Sequence, residues 1–233
     1  MPAANPLRVF RPYGPRRGGL NRRALCAATL SMIAAAHLPR SFASETLRIV
    51  AIGDSLTAGY GLDQGTGFVP QLQAWLAANG APEAEIVNMG VSGDTTAGGR
   101  ARLDWALADG ADAVMIALGG NDLLRGIQPS ESRANIQAML EGLRERRLPV
   151  LLAGINAPLN YGPEYKEEFD SIYPDLSAAF DAIHHPSILA GLTGEPELFQ
   201  SDGIHPNQQG VAIMVEAIGP RVLELIDRAR AAG

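Results

Sequence analysis

Between Glu45 and Arg230 the chain alternates two kinds of hydrophobic pattern. Short unbroken apolar runs predict strands covered on both faces, and stretches with apolar residues every three or four positions predict helices packed on one face. The first run, Leu47–Gly53, carries Ile49, Val50 and Ile52 with no polar alternation, so it reads as a buried strand. Phe68–Asn79 follows as a helix with Val69, Leu72 and Leu76 on one face, stopped by Gly80 at the C′ position. Glu85–Asn88 is a short second strand, Thr95–Ala108 a helix stopped by Gly110, and Ala113–Leu118 a third strand broken by Gly119-Gly120. Ser130–Arg146 is a helix with Ser130 as its cap and arginines in its last turn. Val150–Ile155 is the fourth strand, Glu164–Phe180 is helical with an interruption expected at Pro174, and Ala182–His185 is a short fifth strand. Asn207–Arg230 closes the chain as a helix with Val211, Met214, Val215 and Ile218 inward and a kink expected at Pro220. Such alternation implies right-handed βαβ units and a parallel sheet with helices on both faces. No repeat, low-complexity segment or inter-domain linker interrupts it.

Composition changes this picture at one end only. The chain has 233 residues, 46% of them hydrophobic, enough for one domain with a sizeable core. Residues 1–43 hold seven arginines and no acid, which leaves 12 basic and 25 acidic residues in positions 44–233 and a formal charge there of −13. A body so acidic argues against nucleic acid and anionic membrane surfaces as partners. The basic start reads as an export signal: Arg22-Arg23, a moderately apolar Ala24–Leu38, then Ser41-Phe42-Ala43, with cleavage expected after Ala43. Its apolar run is too short and interrupted to span a bilayer, so no stable membrane insertion of the mature protein is expected. The paired arginines, the weak apolar region and Arg40 beside the cut resemble a twin-arginine signal; Asn21 before the pair departs from the usual Ser or Thr and keeps the Sec route open. Cys26, the single cysteine, lies inside this segment, so the mature chain would carry neither disulfide nor thiol nucleophile. With no uncovered apolar stripe, a monomer is expected.

Four polar, glycine-rich blocks adjoin the predicted strands and helices: Gly53-Asp54-Ser55-Leu56, Gly90 to Thr95, Gly119-Gly120-Asn121-Asp122, and Asp202 to Pro206. In a parallel sheet they would gather at the carboxyl edge, where open α/β sheets bind ligands. A hydroxyl there needs a base, and His205 is the histidine so placed; Asp202, three residues earlier, can fix its tautomer. The backbone N–H groups of Ser55 and Gly93, with the Asn121 amide, can converge on a developing oxyanion. Singly, each block has a plainer reading as a helix cap, a turn or a helix start. A phosphate-binding loop is excluded, because G-x-x-x-x-G-K-[ST] needs a lysine that is missing. A metal-dependent phosphoesterase using Asp54, Asp94, Asn121, Asp122 and His205 stays open, although no D-x-H or H-x-H pair is present. So does a non-catalytic flavodoxin-like binding domain, which would leave Asp202 and His205 without a purpose. Apolar residues beyond the third and fourth strands (Leu123, Leu124, Ile127, and Ile155, Leu159, Tyr161) would line an acyl groove without a lid, suited to short and medium chains.

Together the blocks G-D-S-L, S-G-D-T, G-G-N-D and D-G-I-H-P resemble the GDSL or SGNH hydrolase family, over nearly the whole mature chain. Asn121–Pro129, Leu159–Gly162 and Ser171–Pro174 look like its bacterial periplasmic branch of arylesterases and thioesterase I/lysophospholipase L1. The resemblance implies a flavodoxin-like α/β/α sandwich with five parallel strands ordered 2-1-3-4-5. It implies Ser55 as nucleophile, Asp202 and His205 as orienting acid and base, and Ser55, Gly93 and Asn121 as oxyanion donors. It further implies a small acyl ester or thioester substrate, with no cofactor and no metal. Asp54, Asp94 and Asp122 are expected to hold loops through nearby backbone N–H groups, and His184-His185 to be structural.

Overall fold

The computed structural model describes Gly14 and residues 46–232. Apart from Gly14, the expected export signal, residues 1–43, and its cleavage after Ala43 lie outside the described residues.

Five strands, β1 (Leu47–Gly53), β2 (Ala84–Gly90), β3 (Ala113–Ala117), β4 (Val150–Ala153) and β5 (Ile183–His185), form one parallel sheet in the order β2-β1-β3-β4-β5. The reason for the unbroken apolar runs is visible in β1. Leu47, Ile49 and Ala51 pack into one core with Phe68, Leu72 and the C-terminal helix, while Val50 and Ile52 point through the sheet into the other. The first core is covered by α2 (Phe68–Ala78) and α9 (Gln208–Ala232). The second is covered by α3 (Thr96–Ala101), α4 (Leu103–Ala106), α6 (Pro129–Glu145), α7 (Pro163–Asp170) and α8 (Ile172–Phe180). Register brings the strand ends level: Gly53 pairs with Gly90 on one side and with Ala117 on the other. Three of the four polar blocks therefore leave the sheet side by side.

Several boundaries differ from the pattern-based expectation. The helix expected over Thr95–Ala108 breaks at Arg102, whose guanidinium is drawn to Asp94 (2.6 Å) and to the Gly53 carbonyl (3.0 Å). Gly119-Gly120, expected only to break the strand, also start a short helix, α5 (Gly120–Arg125), which carries Asn121, Leu123 and Leu124. Ser130 is not a cap; the helix starts one residue earlier, with Pro129 in the first position, where its missing N–H costs nothing. The interruption expected at Pro174 falls at Ser171, because Pro174 sits in the first turn of α8 and is tolerated there. Helix α9 runs through Pro220 without a break, and Asn207 caps it by accepting from the Gln209 and Gly210 amides (both 3.0 Å).

Candidate active site

At the end of β1 the chain turns directly into α1 (Ser55–Ala58), so Ser55 is a first-turn residue at the carboxyl edge. Asp54 caps this turn by accepting from the Leu56 amide at 3.0 Å. Gly90, at the end of β2, is needed for close approach: a Cβ there would collide with the Ala58 amide of α1. Gly93 is needed for conformation instead, since its φ is +83° and the space beside it is free.

The fourth block arrives from the far end of the chain. His205 sits on the loop before α9, with Nε2 2.9 Å from the Ser55 Oγ and Nδ1 2.7 Å from an Asp202 oxygen. The other Asp202 oxygen accepts from the backbone N–H groups of Ile204 (2.9 Å) and His205 (3.0 Å). The His205 amide foremost, then the His205 imidazole and the Ile204 amide, hold the Asp202 carboxyl down to about 2 from its ordinary 3.8, so it stays ionised. A carboxylate fixed in this way keeps a proton on Nδ1 and leaves Nε2 free to accept one from the serine. The Tyr60 ring lies against the imidazole, with centroids 4.6 Å apart. Gln200 ties the two loops together, donating to the carbonyls of Tyr60 (2.9 Å) and Pro206 (3.0 Å).

On the other side of Ser55, Asn121 lies in the first turn of α5 and Gly93 in the loop after β2; both line the same cleft as Ser55 and His205. Arg125 reaches across to the Gly93 carbonyl at 2.7 Å and joins α5 to that loop. Behind Asn121, the fully buried Asp122 accepts from the Thr96 amide (2.9 Å) and the hydroxyls of Thr96 (2.6 Å) and Ser132 (2.8 Å), which anchors α5 to α3 and α6. The three block aspartates thus have different jobs. Asp54 and Asp122 accept from backbone N–H groups as expected, whereas Asp94 is committed to the Arg102 guanidinium.

The cleft has a volume of about 720 Å³ and opens to solvent. The structure places Leu123, Leu124, Ile155 and Tyr161 in its lining. Ile127 and Leu159 lie outside its lining: Ile127 lends its carbonyl to the Tyr165 hydroxyl (2.7 Å), and Leu159, in a single 3₁₀ turn, is 68% exposed. Tyr60, Leu189 and Ile204 also line the cleft and were not singled out from the sequence. Tyr60 and Ile204 sit within or just after the polar blocks, which was a usable signal. Leu189 lies in an irregular stretch with none. The carboxylates of the metal alternative are dispersed among separate partners. Among the described residues no three His, Cys, Asp or Glu side chains gather as a metal-binding group.

A model of the GDSL-like Lipase/Acylhydrolase family matches residues 51–213, a span that holds all four blocks. The chain belongs to this family. It is 40% identical to the esterase TesA of Pseudomonas aeruginosa over 190 residues, covering 81% of this chain and 93% of that protein. It is 33% identical to the thioesterase 1/protease 1/lysophospholipase L1 of Escherichia coli over 189 residues, 81% of this chain and 88% of the relative. Among solved structures, the SGNH-hydrolase family esterase AlinE4 superposes with a TM-score of 0.66 at 44% identity, over 77% of this chain and 96% of that one.

Proposed function

We propose that the protein hydrolyses carboxylic esters and thioesters through an acyl-enzyme on Ser55. Membership of the family makes it a carboxylic ester hydrolase; the roles of individual residues are our reading. The observation that carries it is the continuous relay from Ser55 Oγ through both imidazole nitrogens of His205 to Asp202. In this reading His205 takes the Ser55 proton as Oγ attacks the acyl carbon, and Asp202 stabilises the resulting imidazolium. The tetrahedral oxyanion is met by the Ser55 and Gly93 N–H groups and the Asn121 amide. Collapse expels the alcohol or thiol, which takes its proton from His205, and a water activated by the same nitrogen releases the acid.

The apolar lining from Leu123, Leu124 and Ile155 supports an acyl chain on one side of Ser55, and the open mouth supports short and medium lengths with varied leaving groups. Esterase and thioesterase names among the relatives support the same substrate class. Residues 1–43 support export to the periplasm or beyond, as a proposal on composition alone.

The test is Ser55→Ala on the 44–233 protein, with p-nitrophenyl esters, acyl-CoAs and lysophospholipids as substrates. Turnover should fall to background and fluorophosphonate labelling should disappear, while the circular dichroism spectrum is unchanged. Retained hydrolysis by a clean preparation would remove Ser55 from the mechanism.

A further inference from the structure

Asp54 is the single acid among the described residues lining the cleft, and the acyl-transfer chemistry above gives it no task. It is 4% exposed. One carboxylate oxygen caps α1 at the Leu56 amide, and the other faces the Asn121 side chain, with Nδ2 at 3.4 Å. Capping alone does not call for a charge, since Ser, Thr or Asn caps a helix as well as Asp does. Burial works against the charge too: it pushes the Asp54 carboxyl up to about 6, a shift that the Leu56 amide and His205 oppose and Asp94 reinforces.

What a carboxylate offers and a neutral cap does not is acceptance without donation. A side-chain amide has nearly isosteric oxygen and nitrogen ends, and its neighbours decide which end points where. Facing an acceptor, Asn121 must turn its NH2 towards Asp54. One N–H is then spent on Asp54 and the second remains for the cleft.

We propose that Asp54 is a positioning residue for the oxyanion site: it fixes the Asn121 amide with N–H, rather than C=O, towards the developing charge. The proposal rests on the acyl-transfer reading.

Its test is a double-mutant cycle. Asp54→Ser keeps an oxygen for the Leu56 amide but withdraws the acceptor from Asn121; Asp54→Asn keeps the shape and places a donor there. Either substitution should lower kcat by about 10–100-fold, a partial loss of one oxyanion donor, with KM within about twofold and the melting temperature unchanged or raised. In an Asn121→Ala background, which itself loses roughly 10²–10³ in kcat, the same substitutions should change kcat by less than about twofold. Equal losses in both backgrounds, or an unaltered kcat in the single variants, would overturn the proposal. So would failure of both Asp54 variants to fold, which would make the residue structural. Ser55→Ala, run alongside, separates the two claims. If it stays active, the acyl-transfer reading itself falls. If it is inert while the cycle is additive, only the role of Asp54 falls.

Discussion

Leu124 and Leu159 illustrate how far a residue's role can be read before its surroundings are known. Both are apolar, both follow a strand at the carboxyl edge, and both are mostly exposed, at 62% and 68%. Only Leu124 lines the cleft. Each CH2 that an acyl chain buries contributes about 0.8 kcal/mol, so a charge placed in the lining penalises long chains most. Leu124→Asp should therefore raise KM for an octanoyl ester far more than for an acetyl ester, and Leu159→Asp should affect the two alike. Kinetics on the two p-nitrophenyl esters check this; matched effects for Leu124→Asp would take it out of the acyl site. The polar residues of the site were legible because they combine chemical type with block position: Ser55, Gly93, Asn121, Asp202 and His205 line the cleft or bond to a residue that does. Apolar lining residues carry no such mark, and Leu189 could be found only from the folded chain.

At the scale of elements, the strands were legible because two cores press on them, which makes every position in β3, and every position in β1 from Ile49 to Ile52, apolar. The break at Arg102 was not, because its partners, Asp94 and the Gly53 carbonyl, are tertiary. Helix α5 was hidden by the two glycines at its start, which local propensity disfavours and the buried Asp122 network overrides. The edge strand β5 makes a prediction of its own. His185 is 5% exposed and its Nε2 has no hydrogen-bond partner among the described residues. Burial above all pushes its imidazole down to about 4, from 6.5. An unfolded chain therefore takes up a proton between pH 6.5 and 4 that the folded one refuses, so stability is full above pH 6.5 and falls as pH drops through that window. The loss amounts to about 3 kcal/mol by pH 4. Urea unfolding at pH 7 and pH 4.5 should show His185→Leu losing about 2–3 kcal/mol less than the parent over this interval. An identical loss in both would mean that His185 is not the group responsible.

For the whole molecule, the contrast is between a basic first 43 residues and an acidic remainder. The folded part contains no helix long and apolar enough to cross a membrane, among the described residues. If the twin-arginine route carries the chain, replacing Arg22-Arg23 with a lysine pair should leave uncleaved precursor in the cytoplasm; fractionation and immunoblotting report it. Normal export of that variant would assign the protein to the Sec pathway. The proposed export signal is read from composition alone, because such leaders are recognised by charge and hydropathy.

Ser55 and His205, the proposed nucleophile and base, stand 150 positions apart in the chain, one just after the first strand and the other just before the last helix. During synthesis the N-terminal end emerges first, so Ser55 is exposed long before its partner exists. In the proposed mechanism the hydroxyl has no base until Asp202 and His205 follow, and the nascent chain is chemically silent. On that mechanism a ribosome that stops early releases an inert product, and the cell meets an active hydrolase only when translation is all but complete.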